Sequence, residues 1–244
     1  MNPTDPKDRL IVALDLPGTE QARKMVSALD PAVHFFKVGL TLQLAPGVED
    51  LVRSLIRDGK RVFLDYKYYD IAATMKSAVA RAVDLGVSFL TIHGSSGCIQ
   101  GAVAGRGTSD LKLFAVTVLT SMDQHDIREL GYSEQSVEDL VLFRARKALE
   151  AGCDGVIASG QEAQSIRRLS KKLLVITPGI RPDGYPEDDQ KRKTTPQDAI
   201  LAGADYLVVG RPIIGAPDPR GAADQILEQM REAFGAALER GSTG

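Results

Sequence analysis

Val62-Phe63-Leu64-Asp65-Tyr66-Lys67-Tyr68-Tyr69-Asp70-Ile71 starts as an apolar run and ends with acid and base in alternation. Residues i and i+2 of a strand share a face and lie about 7 Å apart at Cα, so Asp65 and Lys67 can project the same way and touch. Asp70 follows just past the strand end, which sets the Lys67 ammonium between two carboxylates. At an effective dielectric of about 20, each contact at about 4 Å is worth roughly 4 kcal/mol before desolvation. The expected result is a lysine that stays protonated and ready to donate. A buried or rim ion pair is the competing reading for any single D-x-K. Two further runs weigh against it, because Asp15 ends Leu10-Ile11-Val12-Ala13-Leu14 and Lys37 ends His34-Phe35-Phe36. Three successive strand-like segments thus deliver charge at their C-terminal ends.

Working outward from these runs, β-branched and aromatic stretches recur eight times, at 10 to 15, 34 to 38, 61 to 66, 88 to 93, 111 to 118, 154 to 157, 172 to 177 and 205 to 209. Amphipathic helical patterns separate them. Thr19-Glu20 opens the first, Gly86 closes the third after Asp84-Leu85, and Thr195-Pro196 starts the seventh. Eight βα units in 244 residues predict an α/β chain folded as a (β/α)8 TIM barrel. A doubly wound open sheet is the structural alternative, but its G-x-G-x-x-G after the first strand is absent; that position reads Asp15-Leu16-Pro17-Gly18. The expected organisation is one barrel domain over 1–244, with short polar tails at about 1–8 and 240–244.

The chain is 43% hydrophobic and 25% charged, an ordinary globular composition. A net charge of -2 and a pI near 6.0 provide no basic field for nucleic acid or an anionic membrane. An anionic ligand must therefore be held by local groups. Met1-Asn2-Pro3-Thr4-Asp5-Pro6-Lys7-Asp8 contains no apolar leader core, and no stretch approaches the roughly 18 apolar residues of a membrane span, so a cytoplasmic location is expected. Cys98 and Cys153 are far apart and fit neither a disulfide framework nor a zinc site; both are expected to be small buried residues.

In a (β/α)8 barrel the site forms where the strands end, so polar residues can be weighed by position. Beyond Asp15, Lys37, Asp65 and Lys67, the fourth strand ends at His93-Gly94 and the fifth leads to Thr120-Ser121. The seventh leads to Thr177-Pro178-Gly179-Ile180-Arg181 and the eighth to Gly210-Arg211. The last two are where barrels often bind phosphate. Gly210 allows close backbone approach, the helix that follows can offer N–H groups, and Arg211 supplies a bidentate cation. Residues 178–194 form a loop of 17 residues without periodicity, long enough to act as a lid. Its charges Glu187-Asp188-Asp189 and Lys191-Arg192-Lys193 are expected on its solvated outer surface, while Tyr185 and Gln190 can reach a phosphate when it closes.

Other chemistries find little support. His34, His93 and His125 are scattered without H-E-x-x-H, so no protein-held metal is expected. Gly94-Ser95-Ser96-Gly97-Cys98 is not a nucleophile elbow, and Gly59-Lys60-Arg61 lacks the rest of a Walker loop. His93 is expected to be a satisfied strand-end residue rather than a catalyst.

Taken together, Val12-Ala13-Leu14-Asp15, Phe36-Lys37-Val38-Gly39, Phe63 to Ile71, Val116 to Ser121, Thr177 to Pro182 and Val209-Gly210-Arg211-Pro212 resemble the orotidine 5'-monophosphate decarboxylase family over nearly the whole chain. The family signature usually reads D-x-K-x-x-D-I-P-x-T, with histidine before the second aspartate. Here Tyr69 and Ala72 replace that histidine and the proline, whereas Asp70 and Thr74 remain. The resemblance implies a cofactor-free enzyme that converts orotidine 5'-monophosphate to UMP, with no metal. It implies that Lys67 delivers the proton, that Asp65 and Lys37 orient it, and that Asp15 and Lys37 hold ribose hydroxyls. Thr120 would hold the pyrimidine, and Gln190, Arg211, the Gly210 backbone and Arg181 the phosphate region. It also implies a homodimer with shared active sites, in which Asp70 and Thr74 complete the neighbouring subunit's site. Two alternatives stand beside this reading: a magnesium-dependent sugar-phosphate decarboxylase or synthase of the same barrel group, and a nucleotide-binding pseudoenzyme.

Overall fold

Eight short parallel strands close on themselves in the computed structural model, which describes residues 5–241. They are β1 (Leu10–Ala13), β2 (Phe35–Gly39), β3 (Arg61–Tyr68), β4 (Phe89–Ile92), β5 (Lys112–Val116), β6 (Gly155–Ile157), β7 (Leu174–Thr177) and β8 (Tyr206–Val209). Each pairs with its sequence neighbours, and β1 pairs with β8, so no sheet edge is left open. All eight predicted strands are present, and the chain is a (β/α)8 barrel. Six are shorter than expected: β1, β4 and β5 end one or two residues early, and β4 to β8 begin one or two residues late. β2 keeps its length, shifted by one residue, and β3 is longer than expected. It extends to Tyr68 through a bulge, since Leu64 pairs with Leu90 while Tyr68 pairs with Ile92.

The helix signals match their elements. Helix Thr19–Leu29 begins at Thr19, helix Ala72–Leu85 stops at Gly86 with φ 80, and helix Pro196–Leu201 begins after Thr195, whose hydroxyl accepts from the Asp198 N–H. Helices Ala72–Leu85 and Ser96–Arg106 cross very closely, because Gly101 and Gly105 lie directly against the backbones of Ala72 and Lys76. Of the tails expected at about 1–8 and 240–244, residues 1–4 and 242–244 lie outside the described residues. Pro6–Asp8 form a 3-10 turn with Pro6 buried, and helix Pro219–Gly241 runs through 240 and 241.

Alternation along the strands divides the apolar residues into two sets. Outward ones such as Val12, Phe36, Leu64 and Leu90 pack under the helices. Inward ones, including Phe35, Phe63, Phe89, Phe114 and Tyr206, fill the barrel as an aromatic floor. Phe89 is its centre, with ring centroids 4.9 Å from Phe35, 4.7 Å from Phe114 and 5.1 Å from Tyr206. Fully burying one such side chain contributes about 1.5–3 kcal/mol. Cys153 is buried, and burial pushes its thiol up to about 12. Cys98 departs from expectation by being only half-buried.

Candidate active site

Two residues beyond the floor, the inward positions change from aromatic to polar. Phe35 is followed by Lys37, Phe63 by Asp65 and Phe89 by Thr91, while β1 continues from Ala13 to Asp15. At the C-terminal mouth these side chains touch in series. Lys37 Nζ lies 3.1 Å from Asp15 Oδ1 and 3.3 Å from Asp65 Oδ2, and Lys67 Nζ donates to Asp65 Oδ1 at 2.9 Å. Lys37 is buried, and Gly39 leaves it room: a Cβ there would stand 2.7 Å from the Lys37 ammonium. Burial alone would raise the Asp65 pKa. Lys37 and Lys67, with hydrogen bonds from Lys67 and Thr91, overcome it and hold that carboxyl below the usual range.

The ammonium set between two carboxylates is therefore that of Lys37, not Lys67. The expectation for Lys67 is corrected because Asp70 does not join the array within this chain. Asp70 is exposed, outside the cavity, and its carboxylate accepts from the Ile71 N–H at 2.7 Å. Thr74 is likewise exposed. Lys67 also reaches Asp65 differently from a regular i, i+2 strand pair. It sits in the β3 bulge with φ 49, the one non-glycine left-handed backbone among the described residues.

A cavity of about 570 Å³ opens above this array, lined also by Thr120, Gly210 and Arg211, within the size range of small-molecule sites. Just past β8, Arg211 pairs with Asp189 and lies 3.3 Å from Asp188. Arg181 lines the cavity, but its buried guanidinium donates to Asp188 at 2.6 and 2.9 Å and sits 5.2 Å from the Tyr185 ring. Thr120 donates to Gln190 Oε1 at 2.6 Å, joining the loop after β5 to the loop after β7. Asp15, Lys37, Asp65, Lys67, Thr120, Arg181, Gln190, Gly210 and Arg211 thus share one cavity.

The charges of the long loop are not its solvated outer surface throughout, which corrects the expectation. Asp188 bridges Arg181 and Arg211. Arg192 is buried, pairs with buried Glu162 at 2.6 Å, and donates to the carbonyls of Val118 and Leu119. Burial outweighs Arg192 and raises the Glu162 pKa. Arg192 thus roots the loop against the end of β5. Nothing in a loop without periodicity separates it from Lys191 and Lys193. The other residue sequence reasoning missed is Thr91, whose signal is its inward parity with Phe89. His93, left out of the catalytic set, is half-buried beside Tyr69 at a ring separation of 5.7 Å, and burial lowers its pKa, helped by Arg144 and Lys67. Among the described residues no group of three or more His, Cys, Asp or Glu is placed to hold a metal ion, and no helix is long and apolar enough to cross a membrane.

Residues 8–226 match the family model described as Orotidine 5'-phosphate decarboxylase / HUMPS family. A protein named orotidine 5'-phosphate decarboxylase from Nitrobacter winogradskyi is 55% identical over 93% of this chain and 95% of its own length. One of the same name from Afipia carboxidovorans is 49% identical over 95% and 98%. The crystal structure of orotidine 5'-phosphate decarboxylase from Lactobacillus acidophilus superposes with a TM-score of 0.79 at 36% identity, covering 91% of this chain and 98% of that one. Barrel, charge array and these likenesses coincide over the same residues, and the chain belongs to the orotidine 5'-phosphate decarboxylase / HUMPS family.

Proposed function

We propose that this chain decarboxylates orotidine 5'-monophosphate to UMP, a carboxy-lyase step of pyrimidine biosynthesis, without a cofactor. The observation that carries the reading is that the series Asp15, Lys37, Asp65, Lys67 and the Arg211 guanidinium line one cavity. Such a site fits a ligand that brings a reacting group to the two ammonium groups and a phosphate to Arg211.

In the proposed reaction the bond between C6 and the carboxylate breaks, CO2 leaves, and the electron pair left at C6 takes a proton from Lys67 Nζ. Asp65 and Lys37 hold that ammonium against C6, so the cation faces negative charge as it develops, at no cost of reorganisation during the step. Asp15 and Lys37 hold ribose hydroxyls and Thr120 meets the pyrimidine. Arg211, the Gly210 backbone and Gln190 take the phosphate, while Arg181 acts on that region through Asp188. We also read the protein as a cytoplasmic, single-domain barrel that works as a homodimer, with Asp70 and Thr74 completing the neighbouring site. Their exposure, together with that of Tyr69 (69%) and Ile71 (70%) beside them, is what a subunit interface would cover.

The test is to add orotidine 5'-monophosphate to purified protein with EDTA present and follow its ultraviolet absorbance. The expected result is conversion to UMP at an unchanged rate on chelation. Loss of activity with EDTA would favour the magnesium-dependent sugar-phosphate reading, and UMP binding without turnover would make the chain a nucleotide-binding protein.

A further inference from the structure

We infer that Thr91 is the positioning residue that holds Lys67 in register for proton delivery. The inference rests on the reading of Lys67 as the proton donor, and it starts from the β3 bulge. Leu64 pairs with Leu90 and Tyr68 with Ile92, so Asp65, Tyr66 and Lys67 together face a single residue of β4, which is Thr91. Three backbone units cannot all find ladder partners opposite one. The Thr91 side chain supplies what the ladder lacks, because its Oγ1 accepts from the Lys67 backbone N–H at 2.9 Å.

The hydroxyl keeps its own proton to donate, and the Asp65 carboxylate beside it can only accept. With a lone pair engaged by the N–H, Thr91 donates to Asp65 Oδ1, also at 2.9 Å. The same carboxylate oxygen receives the Lys67 ammonium at 2.9 Å. The contacts close a ring: Lys67 N–H to Thr91 Oγ1, Thr91 O–H to Asp65 Oδ1, and Lys67 Nζ back to that oxygen. Both ends of one lysine, backbone and ammonium, are thereby referred to one atom. Thr91 is fully buried at an inward position two residues past Phe89, so water does not compete for its hydroxyl. The ring also explains how the one left-handed non-glycine backbone among the described residues is maintained at the residue whose side chain must be aimed.

Thr91 lies on β4, outside the contacts at Arg211, so its loss should act on turnover and spare nucleotide binding. Thr91→Val keeps the shape and removes both hydrogen bonds, Thr91→Ala removes them with less bulk, and Thr91→Ser keeps them. The expected order of kcat is parent and Thr91→Ser together, within about threefold, with Thr91→Val and Thr91→Ala lower by about 10 to 100-fold, the scale of a displacement near 1 Å. UMP affinity, measured on the same samples, should stay within about twofold and also counts the folded sites. Exchange of the UMP C6 hydrogen in D2O, which reports proton transfer without CO2 release, should fall with kcat. If Thr91→Val does not fold, the Thr91→Ala and Thr91→Ser pair carries the comparison.

A Thr91→Val or Thr91→Ala protein with parental kcat, or a Thr91→Ser protein as slow as they are, would overturn the inference. Lys67→Ala measured alongside separates the two levels. If Lys67→Ala stays active, the proton-donor reading has failed; if it is inactive while Thr91→Ala is not, only the role of Thr91 has.

Discussion

Two charged clusters share the mouth of the barrel, and they are built from different material. Lys37, Asp65 and Lys67 stand within parallel strands and Asp15 just past one, above an aromatic floor and in contact in series. Their spacing is set by the sheet before any ligand arrives. Arg181, Asp188, Asp189 and Gln190 belong to the segment 178–194, and they meet Arg211 and Thr120 through side-chain contacts rather than a ladder. The rigid cluster suits charge stabilisation, which gains most from dipoles and ions that need not reorganise. The loop cluster suits capture and closure. Mutations should divide the same way, turnover at the strand ends and substrate capture at the loop.

The largest effect belongs to the rigid cluster. Lys67→Ala should lower kcat by about 10³-fold or more, because proton donor and cation vanish together. UMP affinity should be largely kept, since Arg211 is untouched. A turnover number within tenfold of the parent would remove Lys67 from the chemistry and dissolve the contrast. At the loop end, Arg211→Ala should reduce kcat/KM by about 10²-fold, as binding energy from a remote group is used at the reacting carbon. Orotidine without its phosphate should be a correspondingly poor substrate. Equal kcat/KM for nucleoside and nucleotide would mean that the loop end contributes nothing to the reaction.

The same contrast explains what could be read from the sequence. All eight strands were legible, because a strand buried on both faces is a continuous apolar run and its charged end stands out against it. So was the array from Asp15 to Lys67, through the parity that places Phe35 and Lys37, or Phe63 and Asp65, on one face. The bulge was not legible: Asp65-Tyr66-Lys67 reads as plain alternation, and only pairing with β4 shows three residues opposite Thr91. The loop was least legible. Lys191, Arg192 and Lys193 look alike in sequence, yet Arg192 is buried against Glu162 while Lys191 reaches Asp123 and Asp126. Loop contacts depend on which distant surfaces meet, and no local period records that.

Asp70 lies outside the cavity and in this chain touches neither cluster. If it serves the partner's site, Lys67→Ala and Asp70→Ala should each be nearly inactive alone. Refolded together, about half the dimers should be mixed, each with one doubly defective and one intact site, so activity should return to roughly a quarter of the parent's. Mixed dimers that form but stay inactive would place Asp70 within its own chain's site, and the rigid cluster would then need a movement of the β3 end to receive it.

The smallest effect tests whether the loop cluster is held closed by its own charges. Arg211 is paired with Asp189 and close to Asp188, so an arriving phosphate competes with carboxylates already in place. Asp188 also holds Arg181, and its removal would disturb the loop itself. Asp189 is the cleaner probe, since its side chain is 68% exposed. An exposed ion pair of this kind is worth about 0.2–1 kcal/mol, so Asp189→Ala should lower KM by at most about fivefold with kcat nearly unchanged, and the gain should shrink as salt screens the pair. Steady-state kinetics at two ionic strengths would show it. A KM that rises instead would mean that Asp189 helps shape the phosphate end rather than occupying it, and that the loop cluster is as preorganised as the one on the strands.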